Sequence, residues 1–294
     1  MTDTPGKDMF MSDEQFGLLK DLIAREFGIV MKGDKRLTLH TKISHRLSIL
    51  GMQSYGDYCR YVSSEPSKKE LYNIASHITN NETYFFREKH QLNVFSELLN
   101  DIKRYRQKKN QNRVRVLSAG CSSGEETYTL NILLMESGLF AWGWDVIVEG
   151  IDVSSAALKR AKSAEYTKNS FRMLNGNHEF AKKYFDHADD KFILKKPYRN
   201  NVGFLHANVL QPGAFEGISD VDVIFCRNIL IYMSDEALER IALNFYNCIS
   251  DRGYLILGSS ESLLQRTELF VPEYRNGIIL YRKNPNPPSA LRQE

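Results

Sequence analysis

The sequence predicts an α/β protein in which a small all-helical domain precedes a doubly wound, mainly parallel sheet. The first observation is the helical spacing of apolar residues near the N-terminus, where Phe16, Leu19, Ile23 and Phe27 fall on one face. The second is the alternation of short apolar runs with helical segments from Val114 onward. Such alternation is typical of βαβ units, which place parallel strands side by side.

Composition restricts the class of protein. The chain has 294 residues, of which 42% are apolar and 26% charged, as in globular proteins that bury a core. It lacks an apolar run of about 18 residues and a signal-peptide core, so we expect no membrane insertion. A net charge of +3 is too small to indicate nucleic-acid binding. The four cysteines are far apart, so we expect no metal site, no disulfide framework and a cytoplasmic location.

The N-terminal domain, with its connector, is predicted to span residues 1–91 and to contain four helices. These begin after Ser12, near Lys35, after Ser54 and at Glu70. Ser12 and Gln15 match a capping box, and Gly28 matches a C-terminal cap. In the second helix, Lys35, Lys42 and Arg46 gather beside the apolar stripe. They form either a docking surface for an acidic partner or an ordinary solvated helix face.

The connector between the domains, residues 79–91, is polar but carries two adjacent aromatic residues. Phe85 and Phe86 can anchor it in a core, which leaves Asn81, Thr83 and Arg87 to face a ligand. An arginine can hold a carboxylate with two parallel hydrogen bonds and stays charged. The alternative is a plain interdomain linker with a salt-bridged arginine.

The second domain is predicted to span residues 92–284. Further strands are expected at Asp145–Ile151, Val221–Phe225, Gly253–Gly258 and Ile278–Tyr281, and helices at Ser154–Ser163 and Asp235–Ile249. The runs Phe192–Leu194 and Val202–Leu205 are predicted to pair as a β-hairpin, an insertion at about residues 188–206. The tail, residues 285–294, is rich in Pro and Asn and is expected to be disordered.

The segment Val114–Glu126 reads as a buried strand, a tight turn and the start of a helix. Gly120 and Gly124 bracket the turn, where a missing Cβ lets the backbone approach a ligand. Ser122 occupies the position where a dinucleotide fingerprint needs its second glycine, and no P-loop Lys-Ser/Thr follows. The pair Glu125 and Glu126 would repel a pyrophosphate but suits a cation with an amino group. S-adenosylmethionine carries a sulfonium and an ammonium group.

Other polar residues follow later strands. Asp152 ends the second strand and can bind ribose hydroxyls, or else it caps the following helix. Asn208 and Val209 can meet an adenine, or else form an ordinary turn. Arg227 follows Cys226 at the end of an apolar strand, as at active-site edges, or else forms a strand-capping salt bridge.

Together these residues resemble the CheR family of chemotaxis receptor methyltransferases over nearly the whole chain. The shared motifs are Asn81–Arg87, Ala119–Glu126, Asp152, Asn208-Val209, Phe225–Tyr232 and Gly258–Ser262. The resemblance implies that a Rossmann-like class I methyltransferase domain, with a small inserted antiparallel β-subdomain, follows the helical domain in the chain. It implies that S-adenosylmethionine, or its product S-adenosylhomocysteine, is contacted by Asn81, Thr83, Arg87, Gly120, Glu125, Asp152, Asn208, Val209, Cys226 and Arg227. Whether Glu125 or Glu126 takes the amino group stays open.

By the same resemblance, Arg87 and Tyr232 lie nearest the methyl group and an incoming glutamate. The implied reaction is methylation of glutamate side chains on the cytoplasmic helical bundle of chemoreceptors. The sequence does not give the oligomeric state, and we expect a monomer by default. The compact hairpin is similar to that of members that need no receptor pentapeptide tether. The alternatives are a methyltransferase for another acceptor and a non-catalytic scaffold that binds S-adenosylhomocysteine.

Overall fold

The computed structural model describes residues 10–31, 35–64, 68–78, 82–174 and 178–288. The chain divides into two compact units, residues 1–81 with Tyr232–Ala237 and residues 82–231 with 238–294. The division falls after residue 81, so residues 82–91 of the connector belong to the sheet-containing unit. Asn81 and the end of the tail, residues 289–294, lie outside the described residues.

The four predicted N-terminal helices are confirmed. They are α1 (Asp13–Phe27), α2 (Arg36–Leu50), α3 (Tyr55–Ser64) and α4 (Lys69–Ile78). The capping box also forms: the Gln15 backbone N–H donates to Ser12 Oγ at 3.2 Å, and the Ser12 N–H donates to Gln15 Oε1 at 2.9 Å. Gly28 ends α1 in the left-handed region at φ +67°, which glycine adopts without steric cost.

A buried ion pair inside the helical unit changes the interpretation of Arg46. Both Arg46 Nε and Nη2 donate to the Glu70 carboxylate, at 2.7 and 2.6 Å, and the Tyr58 hydroxyl donates to it at 2.8 Å. Although burial acts to raise the pKa of Glu70, these hydrogen bonds hold it below its ordinary value. Arg46 is therefore committed to its own unit, whereas Lys35 and Lys42 are exposed.

The second unit is built on a seven-stranded sheet. Its elements in chain order are α5 (Lys89–Lys108), β1 (Arg113–Ala119), α6 (Glu125–Glu136), β2 (Asp145–Asp152), α7 (Ser155–Ser163), β3 (Glu165–Tyr166), α8 (His178–Tyr184), β4 (Phe185–Ala188), β5 (Lys191–Leu194), β6 (Val202–His206), β7 (Val221–Cys226), α9 (Asp235–Cys248), β8 (Ile249–Leu257), β9 (Phe270–Arg275) and β10 (Ile278–Lys283). The strand order is β6-β2-β1-β7-β8-β10-β9. The first five strands are parallel, and β10 and β9 pair antiparallel. The α/β fold with a mainly parallel sheet is confirmed.

The predicted hairpin is wrong in its pairing. Phe192–Leu194 lies in β5, the middle strand of a separate antiparallel sheet with the order β3-β5-β4. Val202–His206 is instead an edge strand of the main sheet, parallel to β2. The small antiparallel sheet therefore spans residues 165–194, and its hairpin turns through two residues between Ala188 and Lys191. A short edge strand with one packed face has the same residue pattern as a hairpin strand, which explains the error.

The core of this unit lies between the main sheet and its helices. The α5 side chains Leu92, Phe95, Leu98 and Leu99 are buried against it, and the Phe95 ring meets the Phe225 ring edge to face at 5.3 Å. Because β1, β2 and β7 are parallel, their carboxyl ends meet at one edge of the sheet. In open α/β sheets that edge is where ligands bind. No helix among the described residues is long and apolar enough to cross a membrane.

Candidate active site

The turn after β1 is held in a conformation that requires glycine. Gly120 and Gly124 have φ angles of +74° and +87°. The Gly120 N–H donates to the Ile151 carbonyl at 2.7 Å, which ties the ends of β1 and β2 together. A Cβ on Gly120 would lie 2.0 Å from Ile229 Cδ1. The Ile229 side chain occupies the space beside Gly120, where the sequence predicted close approach of a ligand.

Asp152 ends β2 as a buried carboxylate. Its Oδ2 accepts the Ser122 backbone N–H at 2.8 Å, and its Oδ1 accepts the Ser154 N–H at 2.7 Å. Burial raises the pKa of Asp152, and these two backbone N–H groups act against that increase. Ser154 caps α7, since its Oγ accepts the Ala157 N–H. The alternative in which Asp152 caps that helix is therefore wrong.

The two acidic residues at the start of α6 have different partners. Glu126 Oε1 accepts the Ser118 hydroxyl at 2.7 Å, and its Oε2 pairs with Arg227 Nε at 2.6 Å. Glu125 is 3% exposed and accepts the hydroxyls of Ser123 and Ser170, at 2.7 and 2.9 Å. Among the described residues Glu125 has no salt-bridge partner.

Glu125 is thus a buried carboxylate that accepts two hydroxyls and a backbone N–H but has no salt-bridge partner among the described residues. Burial raises its pKa, and the hydroxyl of Ser123 acts in the opposite direction. A buried charge with no counter-ion is costly unless a cation neutralises it. An amino group of a ligand supplies such a cation. The structure thereby favours Glu125 over Glu126 as the partner of an ammonium group.

Arg227 holds the segment that contains the predicted Arg87. Its Nη1 donates to the Arg87 carbonyl at 2.9 Å, while its Nε pairs with Glu126. The Arg227 side chain is 3% exposed, and its ion pair with Glu126 is a salt bridge at the end of β7, as in the alternative to an active-site role. Its hydrogen bond to the Arg87 carbonyl positions residues 82–91 of the connector, which lie within the same unit.

The connector is anchored by Phe85. The Phe85 ring is fully buried and stacks on Phe171 at 5.2 Å, and its N–H donates to the Ser170 carbonyl at 2.9 Å. Arg87 Nη1 donates to the Glu82 carbonyl at 2.7 Å, and its side chain is 26% exposed. Thr83 is half-buried. The aromatic anchor predicted from the sequence is present, and it leaves the Arg87 guanidinium partly accessible.

The later predicted residues lie at the ends of β6 and β7. Asn208 is buried, and its Oδ1 accepts the Leu210 N–H at 3.0 Å, the contact of an ordinary turn. Val209 is also buried, and its carbonyl accepts the Asn244 amide at 2.9 Å. Cys226 is fully buried, which raises its thiol pKa well above the ordinary value. Its contribution is therefore packing rather than nucleophilic chemistry.

Tyr232 belongs to the helical unit. Its carbonyl accepts the Val30 N–H at 2.7 Å, and the next residue, Met233, bridges to Ile29. The side chain of Tyr232 is half-buried. Its predicted place near the methyl group stays a prediction.

Sequence reasoning missed the role of Glu261. Its carboxylate accepts backbone N–H groups from Gly258, Asn228, Ile229 and Leu230 at 2.7 to 2.9 Å, and that of Ile231 at 3.3 Å. It therefore fixes the loop after β7, including the Ile229 side chain that fills the glycine turn. The motif around Glu261 was visible in the sequence, but no local signal shows which backbone groups the carboxylate holds.

These features define a class of protein. A parallel sheet with a glycine turn after β1, an acidic residue ending β2 and, at the start of α6, a buried carboxylate with no salt-bridge partner among the described residues matches the requirements of S-adenosylmethionine. No group of three or more metal-ligating side chains is arranged to hold an ion among the described residues. The fold and site are those of an S-adenosylmethionine-dependent methyltransferase.

Comparison with known families specifies the protein further. Residues 14–79 match the all-alpha domain of the CheR methyltransferases, and residues 81–275 match their S-adenosylmethionine-binding domain. The chain belongs to the CheR methyltransferase family, and its cofactor is S-adenosylmethionine. The resemblance read from the motifs is confirmed.

Named relatives match over most of their length. Chemotaxis protein methyltransferase 2 of Vibrio cholerae is 30% identical over 94% of this chain and 95% of its own length. The chemotaxis protein methyltransferase of Borreliella burgdorferi is 29% identical over 85% and 88%. Chemotaxis protein methyltransferase 1 of Pseudomonas aeruginosa is 27% identical over 93% and 99%. The similarity thus includes both units of the fold.

Proposed function

We propose that this enzyme methylates glutamate side chains on the cytoplasmic helical bundle of chemoreceptors, forming γ-glutamyl methyl esters. The observation that carries the proposal is the match of both units to the CheR methyltransferases, whose named relatives are chemotaxis protein methyltransferases. On this proposal the protein acts in the cytoplasm and as a monomer.

The proposed methyl transfer does not require a strong general base. A glutamate side chain is already ionised near neutral pH, and the bound cofactor supplies an electrophilic methyl group on a sulfonium. Because the carboxylate and the sulfonium lose charge as they react, exclusion of water and alignment of the reacting atoms carry the rate enhancement. Both oxygens of Glu125 and of Asp152 accept hydrogen bonds from hydroxyl or backbone N–H groups, which supports roles in binding and positioning.

Each predicted residue has a proposed role in that scheme. Glu125 holds the cofactor's ammonium, Asp152 its ribose hydroxyls, and Asn208 and Val209 contact its adenine. The backbone at Gly120 lies beside the cofactor, where Asn81, Thr83, Cys226 and Arg227 complete the predicted contacts.

Arg87 and Tyr232 are proposed to meet the substrate. In the structure Arg87 uses one nitrogen to hold the Glu82 carbonyl, which leaves further donors for a carboxylate. Its grip must be loose, because tight ground-state binding of the nucleophile would slow the attack. Tyr232 is proposed to line the path of the methyl group.

Docking is proposed to use Lys35 and Lys42, since both are exposed while Arg46 is engaged by Glu70. Two exposed cations attract an acidic bundle weakly, so receptor binding should weaken as salt rises. We also propose that no receptor pentapeptide tether is needed. The two-residue turn between β4 and β5 supports this, because the hairpin has no additional loop with which to grip a tether.

The test is transfer of label from S-adenosylmethionine to a purified receptor cytoplasmic fragment, followed by mild alkali. Label that leaves as volatile methanol identifies a carboxyl methyl ester. Fragments with and without their last five residues should be labelled equally. Absence of label, with cofactor binding intact, would contradict the proposed acceptor.

Two variants test the proposed roles of Asp152 and Arg87 separately. Asp152→Ala is expected mainly to weaken S-adenosylhomocysteine binding in calorimetry, while Arg87→Ala is expected mainly to lower kcat. Equal cofactor affinity for wild type and Asp152→Ala, or an unchanged kcat for Arg87→Ala, would refute the corresponding role.

A further inference from the structure

A basic groove lies in the sheet-containing unit, away from the carboxyl ends of the strands. It has a volume of about 790 Å³ and is formed by the second half of α5, β8 and the antiparallel strands β9 and β10. Tyr254 in its wall pairs with Val223 in the sheet, whereas Leu257 pairs with Cys226 at the candidate active site. The groove is therefore distinct from the cofactor site.

Positive charge is concentrated in this groove. Six of the residues that line it are cations: Arg104, Lys108, Lys109, Arg252, Arg275 and Arg282. Only three are carboxylates: Asp101, Asp222 and Glu273. The lining residues thus carry an excess of three positive charges, which Asp251, with its Oδ2 3.6 Å from Lys109 Nζ, reduces to two.

The carboxylates do not neutralise all six cations. Asp222 turns inward, where Arg106 Nε and the Arg115 N–H donate to it at 2.7 and 2.9 Å. Glu273 is shared between two arginines of the antiparallel strands, and Asp101 between one of these and a cation on α5. Among the described residues, Lys108 and Arg252 have no carboxylate within salt-bridge distance.

The end of α5 does not by itself account for this cluster. Lysines are favoured in the last turn of a helix because the carbonyl end is negative, which explains Lys108. Arg252, Arg275 and Arg282 come from three strands and gain nothing from that helix end. Cations from separate elements that converge without enough counter-ions indicate a site for an external anion.

The shape of the groove indicates the kind of anion. A volume of this size lies within the range of about 300–1,000 Å³ that small-molecule sites occupy, while protein partners use flatter and larger surfaces. Guanidinium groups bind phosphate through paired hydrogen bonds. Several cations in one groove favour a ligand with several charges. We propose that this groove binds a polyphosphate chain, either free or as part of a nucleotide.

The experiment is calorimetry on the full-length protein in metal-free buffer, with inorganic tripolyphosphate and with ATP as probes. Arg252→Glu and Lys108→Glu reverse the two unneutralised charges, and Arg252→Ala provides a milder variant. Lys159→Glu on α7 is the matched control, because it reverses an exposed charge elsewhere. S-adenosylhomocysteine affinity, measured for every variant, verifies that the unit is folded.

We expect saturable binding of both probes, weakened about tenfold or more by Arg252→Glu and by Lys108→Glu and unchanged by Lys159→Glu. Equal affinities mean that the phosphate chain suffices, and tighter ATP binding means that the nucleoside contributes. No binding of either probe overturns the proposal. An equal loss of probe affinity in Lys159→Glu overturns it as well, because that indicates a general effect of charge. Displacement of the probe by S-adenosylhomocysteine also overturns it, because that indicates binding at the active site.

Discussion

Replacement of Glu125 by glutamine tests the central assignment of the cofactor site. The change keeps the size of the side chain, removes one negative charge and replaces one acceptor oxygen with an NH2 donor, which the hydroxyl of Ser123 or Ser170 can accept by reorienting. We expect S-adenosylhomocysteine, which retains the amino group, to bind more weakly because its ammonium loses a charged partner. Losing a hydrogen bond to a charged group costs roughly 1.5–3 kcal/mol, which corresponds to a roughly 10- to 150-fold weaker affinity.

The stability of the ligand-free protein should not fall with this substitution. Burial raises the pKa of Glu125, so the folded state disfavours its ionised form at neutral pH. Glutamine removes that cost, and the Tm of Glu125→Gln without ligand should equal or exceed that of wild type. For the same reason, wild-type affinity should fall as the pH drops through the raised pKa of Glu125, because protonation discharges the ammonium's partner. The glutamine variant should lack that component of the pH dependence.

Glu126→Gln provides the matched control on the adjacent residue. Its carboxylate forms an ion pair with Arg227, whose side chain is 3% exposed. Breaking a buried pair by removing one partner costs about 3–5 kcal/mol, so this variant should lose more than about 5 °C in Tm. Calorimetry and thermal unfolding on both variants complete the test. Unchanged affinity in Glu125→Gln, or a larger affinity loss in Glu126→Gln with an unchanged Tm, would refute the assignment.

Three further predictions concern residues that support the site and the helical unit. Gly120→Ala should lower Tm and cofactor affinity, because its Cβ would lie 2.0 Å from Ile229 Cδ1 at a φ of +74°; adding Ile229→Ala should restore part of the Tm. Glu261→Gln should speed amide hydrogen exchange at 228–231, since glutamine offers one oxygen to five N–H groups. The folded protein lowers the pKa of Glu70, so the contribution of this carboxylate to the free energy of unfolding is complete above its unfolded pKa of about 4.3 and is lost as the pH falls through the folded value. The difference in Tm between wild type and Glu70→Gln should therefore close on acidification.

Local chemistry in the sequence was enough to place the four N-terminal helices and the central strands of the main sheet. The capping box at Ser12 and the cap at Gly28 involve residues three or four apart, so their partners stand beside them in the sequence. The alternation of strands and helices likewise follows from hydrophobic pattern alone. These features needed no knowledge of distant contacts.

Partners far apart in the chain could not be read in this way. Arg227 and Glu126 are 101 residues apart, and Arg46 and Glu70 are 24 apart. A cation beside an apolar stripe looks the same whether it faces solvent or an acidic residue of another helix. The sequence therefore predicted a docking role for Arg46 without showing that Glu70 binds it, and it left the choice between Glu125 and Glu126 open because their partners lie far away in the chain.

Strand pairing posed a related difficulty. β5 and β6 have similar short apolar runs, and only the register with β2 shows that β6 belongs to the main sheet. The edge strand β9 was also missed, because its outer face carries polar residues and Pro272 interrupts the pattern. The edge strands β6 and β9 pair on one side only and are largely exposed or half-buried, whereas β1 and β7 are almost wholly buried, so the edge sequences are less constrained.

The different partners of the two acidic residues also define what each contributes to catalysis. The proposed partner of Glu125 is the ammonium, which is unchanged between cofactor, transition state and product. An interaction of equal strength in all three states improves binding without lowering the barrier to the chemical step. Glu125→Gln should therefore raise the KM for S-adenosylmethionine and leave kcat at saturating cofactor unchanged. Arg87, by contrast, is proposed to orient the attacking carboxylate toward the methyl group, so its removal should lower kcat through lost alignment. A fall in kcat for Glu125→Gln at saturation would mean that this carboxylate also acts on the reacting atoms.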